Sequence, residues 1–292
     1  MAGCATLSIV WSEGLAEWFA ANGRHDLPWR LTADPWAVLV SEVMLQQTSV
    51  ARVLPRWQRF LERWPAAAAC AHAALEDVLL EWQGLGYPRR ARALWLTAGQ
   101  VATDGWPGDE VALRSLPGVG PYTARALIAF TELGGNSAQP PRDVNLSRVA
   151  ARAALGRHPG EVAAARLDAV LREGRPAGMS LRHYTYALFD VGATRCRARP
   201  DCTRCPLDRR CLARAGQLQM PPAAARRAPY SGSLRQLRGA LLAHSLRSPS
   251  ASSAQLAKAV SALPGATPQR IRSALDSLVA DGLLAGRVAG RR

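Results

Sequence analysis

Lysine is almost absent from this sequence: its 292 residues hold one, Lys258, and residues 1–257 contain none. A mechanism in which a lysine amine attacks a substrate carbon is therefore excluded from that stretch, leaving the N-terminal amine as its sole primary amine. Arginine cannot substitute, because its guanidinium stays protonated and is a poor nucleophile. Acidic residues are scarce too, 22 against 37 basic, and the net charge of +15 points to a polyanionic partner and a salt-dependent association. No stretch approaches 18 uninterrupted apolar residues, and the opening "MAGCATLSIVW" lacks a basic segment followed by an apolar run. The sequence thus offers neither a membrane span nor a secretory signal, and a cytoplasmic, nucleoid-associated monomer is expected.

Alternating β-branched runs are rare, and helical periodicity dominates from Leu7 to about Leu212, so the fold class is all-α. In "DPWAVLVSEVMLQQT" Asp34 suits a helix N-cap and Pro35 the first helical position. Thr48 restarts a helix towards Trp64, and Pro65, Gly84, Gly86, Pro107 and Pro117 separate further short helices. No internal repeat is evident. "QLQMPPAAARRAP", residues 217–229, shifts to Pro, Ala and Arg as a linker would. Residues 230–292 then read as three short helices and a hairpin, the order of a winged helix. Arg270, Arg272 and Arg287 there suit either duplex binding or packing on the main body.

"LPGVGPYTARA", residues 116–126, places Gly118 and Gly120 in a tight turn just before a helix. Glycine frees the turn's amides to face outward, and the helix N-terminus adds its positive dipole, so Gly118, Val119, Gly120 and Thr123 suit a phosphate grip that reads no bases. Two carboxylates stand out. Glu42 lies between Val40 and Val43 in an apolar helix, where desolvation would raise its pKa; Asp143, in "PRDVNLSRV", also has the look of a helix N-cap. Of six cysteines, Cys196, Cys202, Cys205 and Cys211 form C-x5-C-x2-C-x5-C, a set that suits tetrahedral zinc or an iron-sulfur cluster, while Cys4 and Cys70 stand apart.

Together "LPGVGPYTA", "SEVMLQQT", "GLGYPRRARAL" and "DVN" resemble the MutY type of adenine DNA glycosylase, in the helix-hairpin-helix superfamily that includes endonuclease III, over roughly residues 11–214. The resemblance implies a six-helix barrel module over 31–134 and a second module from 1–30 and 135–216. It implies release of adenine mispaired with 8-oxoguanine or guanine from double-stranded DNA; the alternatives are a glycosylase that removes thymine or uracil opposite guanine, and a catalytically silent iron-sulfur DNA-binding protein. By position it makes Glu42 the acid, Asp143 the stabiliser of the sugar cation, Tyr122 the residue standing where lyases carry lysine, and Asn145 an orienting group. Gln47, Thr48, Leu85, Gly86 and Tyr87 match the loops that enter the base stack, and Trp29 and Arg30 of "LPWR" match the base pocket. The cysteines resemble that family's [4Fe-4S] signature, with five residues between the first two where six are usual. Arg195, Arg197, Arg199, Arg204, Arg209 and Arg210 around them suit phosphate docking. Arg142, Val144 and Ser147 depart from the family pattern around Asp143, and Arg142 is expected to lower that carboxylate's pKa. About 63 residues of tail are too few for the Nudix-like domain many relatives carry.

Overall fold

The computed structural model describes residues 11–133, 139–220 and 229–284. Among these there is no strand. The helices, in chain order, are α1 (Leu15–Asn22), α2 (Pro35–Leu45), α3 (Val50–Arg63), α4 (Ala67–Ala71), α5 (Leu75–Glu81), α6 (Arg89–Asp104), α7 (Glu110–Leu113) and α8 (Pro121–Phe130), then α9 (Val144–Leu155), α10 (Ala164–Glu173), α11 (Leu181–Thr194), α12 (Leu212–Ala215), α13 (Leu234–Arg247), α14 (Ser253–Val260) and α15 (Pro268–Ala280). The all-α expectation holds. None of these helices is long and apolar enough to cross a membrane.

Contacts divide the chain into two units, Met1–Glu42 with Trp106–Ala223, and Val43–Gly105 with Ala224–Arg292. In the first, α11 packs against α1, α8 and α9, and α9 also meets α10 and α12. Its core is built from the apolar faces of these helices, including Leu15, Leu127, Phe130, Leu146 and Leu188, each close to fully buried. At about 1.5–3 kcal/mol for each large apolar side chain taken from water, this layer dominates the stabilisation of the unit. In the second, α6 packs on α4 and α5, α13 meets α5, and α13–α15 form a trihelical segment. Phe60 contacts Trp64 and Trp82 edge-on in the core of this unit, at ring separations of 4.8 and 6.3 Å.

Local signals explain the helix starts. Both carboxylate oxygens of Asp34 accept from backbone amides, of Trp36 and Ala37, at 3.2 and 3.1 Å, ahead of Pro35. Ser49 occupies the position before α3, one residue beyond the Thr48 start read from the sequence. The three expected tail helices are present, while the hairpin and Arg287 lie wholly or largely outside the described residues, as does most of the 217–229 linker.

Candidate active site

The last full turn of α2 carries Glu42, 6% exposed, on a helix whose Val38, Val40, Ser41 and Val43 are buried too. The Tyr122 hydroxyl, from the first turn of α8, donates to Glu42 Oε2 at 2.8 Å. Burial lifts the Glu42 carboxyl to about 7; the tyrosine bond and Arg30 pull it down, and the charge of Asp143 pushes it further up. A proton is therefore held near neutrality in an apolar setting. The Tyr122 phenol is moved well above its usual value by the same burial and by both carboxylates, so it remains a neutral hydrogen-bond donor.

Asp143, the second candidate acid, is the N-cap of α9. Its Oδ1 accepts from the amides of Asn145 and Leu146, at 2.8 and 2.7 Å, and Oδ2 accepts from Asn145 Nδ2 at 2.8 Å. Three N–H donors and a helix N-terminus favour the carboxylate form, while burial raises its pKa above the ordinary aspartate value. The expectation that Arg142 would lower that pKa is overturned. Arg142 Nε turns to Asp168 Oδ1 at 2.8 Å, and the cation acting on Asp143 is Arg148. Arg148 reaches Asn145 Oδ1 at 2.7 Å, Gly192 O at 2.8 Å and Cys196 O at 2.5 Å, joining the Asp143 cap to the cysteine loop. Gly192 permits this closeness: a Cβ there would stand 2.7 Å from Asn145 Cβ.

The hairpin forms between α7 and α8. Gly118 takes a φ of 76°, a region that favours glycine, and Val119 N donates inward to Leu116 O at 3.1 Å. Gly120 begins α8 with no side-chain cap, so the first-turn amides are open to an outside acceptor. The side chains of Val119 and Thr123 are buried, which confines their part in any phosphate grip to the backbone.

Trp29 and Arg30 lie on a 3₁₀ turn, Pro28–Arg30. Trp29 is buried. Arg30 forms a paired contact with Asp190, 2.8 and 2.9 Å, and lies 4.4 Å over the Tyr186 ring, which in turn stacks on Phe130. Arg24 completes the clamp on Asp190, Nε to Oδ1 at 2.6 Å. Asp190 is fully buried, and its arginine partners hold its pKa below the ordinary value despite that burial. Sequence reasoning missed both Asp190 and Tyr186, although an acid inside the apolar run "YALFDVG" carries the same signal that marked Glu42.

In the second unit, Tyr87 is 42% exposed and donates its hydroxyl to Gln47 Oε1 at 2.7 Å. Both residues have positive φ, 50° and 56°. For non-glycine residues that is uncommon, and it persists where surrounding contacts over-determine it. The contacts come from Arg90, another residue the sequence did not single out. Its guanidinium donates to Val43 O (2.6 Å), Gln46 O (2.7 Å), Leu85 O (3.2 Å) and Gly86 O (3.2 Å), and lies 5.2 Å from the Tyr87 ring centre. Thr48 Oγ1 donates to Leu85 O at 3.2 Å. Gly86 has φ 74°, and Leu85 is buried beneath the loop.

Cys196, Cys202, Cys205 and Cys211 all line one cavity of about 250 Å³. Arg152 is buried beside it, 3.7 Å from Cys196 Sγ, and donates to Arg197 O at 2.7 Å. Among the described residues no three His, Cys, Asp or Glu side chains converge closely enough for one metal ion. Thiolates at this spacing could hold either a single zinc or a cluster that brings its own bridging sulfides. Burial pushes the Cys205 thiol up to about 12 and raises Cys202 and Cys211. Of the arginines around this loop, Arg195 and Arg204 pair with Asp201 and Arg210 pairs with Glu13, while Arg197, Arg199 and Arg209 are exposed and form no ion pair among the described residues. In the tail, Arg270 is committed to the carbonyls of Gly265 and Gly232, at 2.6 and 2.7 Å, whereas Arg272 is exposed.

Residues 40–170 match the HhH-GPD superfamily of base excision DNA repair proteins. The chain is similar to the adenine DNA glycosylase of Mycobacterium tuberculosis, 41% identical over 283 residues, covering 95% of this chain and 91% of that one. The Mycolicibacterium smegmatis adenine DNA glycosylase is 39% identical over 95% and 93% of the two chains. The adenine DNA glycosylase of Homo sapiens is 35% identical, over 68% of this chain and 38% of its own length. Among solved structures, a thermostable thymine-DNA glycosylase superposes with a TM-score of 0.61 at 22% identity, covering 72% of this chain and 97% of that one. Endonuclease III in a non-covalent DNA complex gives 0.55 at 22%, covering 70% and 93%. These two likenesses establish the fold.

Proposed function

The chain belongs to the adenine DNA glycosylase family of the HhH-GPD superfamily, and from that membership we propose that it hydrolyses the N-glycosidic bond of adenine mispaired with 8-oxoguanine or guanine. It is a DNA glycosylase of base excision repair. The observation that carries the mechanism is the buried Glu42–Tyr122 contact within electrostatic reach of Asp143. Glu42 gives its proton to a ring nitrogen of the extruded adenine, and the C1′–N bond breaks with its electron pair leaving on the base. The Asp143 carboxylate faces the resulting sugar cation, as one ionised acid does in glycoside hydrolysis generally. Water then adds to C1′ while the Glu42 carboxylate takes its proton, restoring the acid. Tyr122 keeps one carboxyl oxygen of Glu42 occupied as an acceptor, so the proton sits on the other. Asn145 orients Asp143.

We assign the uncapped start of α8 and the Gly118–Gly120 turn to a DNA phosphate, Gln47 and Tyr87 to the base stack, and Trp29 with Arg30 to the base pocket. Cys196, Cys202, Cys205 and Cys211 would hold a [4Fe-4S] cluster, whose role is to brace the loop of exposed arginines. The purified protein should then show a broad visible absorbance that bleaches on oxidation, which colourless zinc would not give.

Duplexes containing A:8-oxoG, A:G, T:G and U:G, incubated with the protein and then treated with alkali, test the activity. Adenine release from the first two, with strand breaks only after alkali, is expected. Breaks without alkali, or trapping by borohydride, would contradict a reaction without a lysine nucleophile. Release of thymine or uracil instead would overturn the substrate assignment.

A further inference from the structure

The trihelical tail belongs to the same compact unit as residues 43–105, and it meets the elements on both sides of one loop. That loop, residues 82–88, presents Tyr87. It is entered from α5 and left through the first turn of α6. Helix α13 packs on α5, ahead of the loop. Behind it, the turn that ends α15 meets α6: Asp281 lies 3.4 Å from Arg89, and Gly282 is so close to Arg92 that a Cβ would stand 2.7 Å from its Nε. Asp281 is fixed in turn by Arg238 of α13, which also bonds Ser277. Leu283 and Leu284 are buried directly after this turn.

Arg89 is 73% exposed, so its ion pair supplies orientation more than affinity. The half-buried Arg238–Asp281 pair and the Gly282 approach are the firmer holds. Between Arg89 and Arg92 stands Arg90, whose guanidinium gathers the carbonyls of residues 43, 46, 85 and 86 beneath Tyr87. The register of α6 at its first turn therefore sets where Arg90, and with it the Gln47–Tyr87 pair, can sit.

We propose that the C-terminal trihelical segment is part of the base-extrusion apparatus, bracing the 82–88 loop at both ends so that Gln47 and Tyr87 hold their place against a stacked duplex. The inference rests on the assignment of those two residues to the base stack. A wedge that yields when pushed cannot keep a base unstacked, and its two left-handed backbones need support from outside the loop. Asp281 and Gly282 are positioning residues in this scheme; neither touches DNA.

The test uses the full-length protein and a duplex with 2-aminopurine, opposite guanine, in place of the target adenine. Fluorescence reports unstacking of that base, and the anisotropy of a labelled duplex reports binding. Asp281→Ala should reduce the fluorescence rise about fivefold while Kd stays within about twofold. Because the substitution removes a negative charge, weaker attraction to DNA cannot account for the loss. Gly282→Ala crowds Arg92 but keeps the Asp281 pair, and should give a smaller loss of the same kind. Tyr87→Ala is the reference. If it leaves the fluorescence rise intact, the wedge assignment fails and the inference falls with it. If it removes the rise while both tail variants keep theirs, the wedge stands and the tail inference alone is overturned. Binding and fluorescence falling together in the tail variants would also overturn it, as general damage to the unit.

Discussion

Glu42→Gln should lower the single-turnover rate of adenine release by about 1,000-fold, within the range general acids supply, with Kd for the mispaired duplex changed by less than about twofold. Glutamine keeps the shape and still accepts the Tyr122 hydroxyl, so what is lost is the transferable proton. The parent's pH profile should mark the same group. With the carboxyl at about 7, the proton is present below neutrality, and excision should fall as pH rises through that value. Stability supplies an independent readout. The folded Glu42 pKa of about 7 lies above its ordinary 4.5, so its favourable contribution to stability is complete below about 4.5 and is lost as pH rises through 7. Above that, an ionised carboxylate at this buried position costs the fold about 3 kcal/mol. Glu42→Gln should consequently melt higher than the parent at pH 8, and the gap should close near pH 4.5. An inactive variant with no pH-dependent gain would mean that Glu42 is not buried as a proton store.

Asp143→Asn should lower the same rate by about 100- to 1,000-fold with little change in binding, because a neutral amide cannot balance a developing sugar cation. Asparagine is also a competent N-cap, so α9 should persist and the melting temperature should change by no more than a few degrees. Asp143→Ala separates the two duties: it should lose the catalysis and about 1 kcal/mol of capping as well. Single-turnover quench experiments with thermal melts check both, and a fully active Asp143→Asn would remove the second carboxylate from the mechanism.

The two acids were legible for different reasons. Glu42 could be read from its valine neighbours, since an ionisable group in an apolar helix is either costly or useful. Asp143 supported two readings, cap and charge, and the structure makes it a cap whose charge also faces Glu42. Arg142 could not be read correctly. Adjacency in sequence suggested adjacency of charge, but at the entrance to a helix the side chain before the N-cap can point elsewhere, and here it joins Asp168 and Arg125. Arg90 stands in "YPRRARAL" among similar neighbours, and only the tertiary fold decides which arginine turns inward to collect carbonyls. The cysteine spacing left zinc and cluster open, and in the structure the four side chains line one cavity.

Gly192 stands inside α11, where glycine is a poor helix former, and a designer seeking a hardier protein from propensity alone would replace it with alanine for about 1 kcal/mol. The added methyl would press on Asn145 Cβ and disturb the cap that aims Asp143. At this position rigidity of the helix and aim of the carboxylate are opposed, so attempts at thermal hardening belong on helices that do not touch α9.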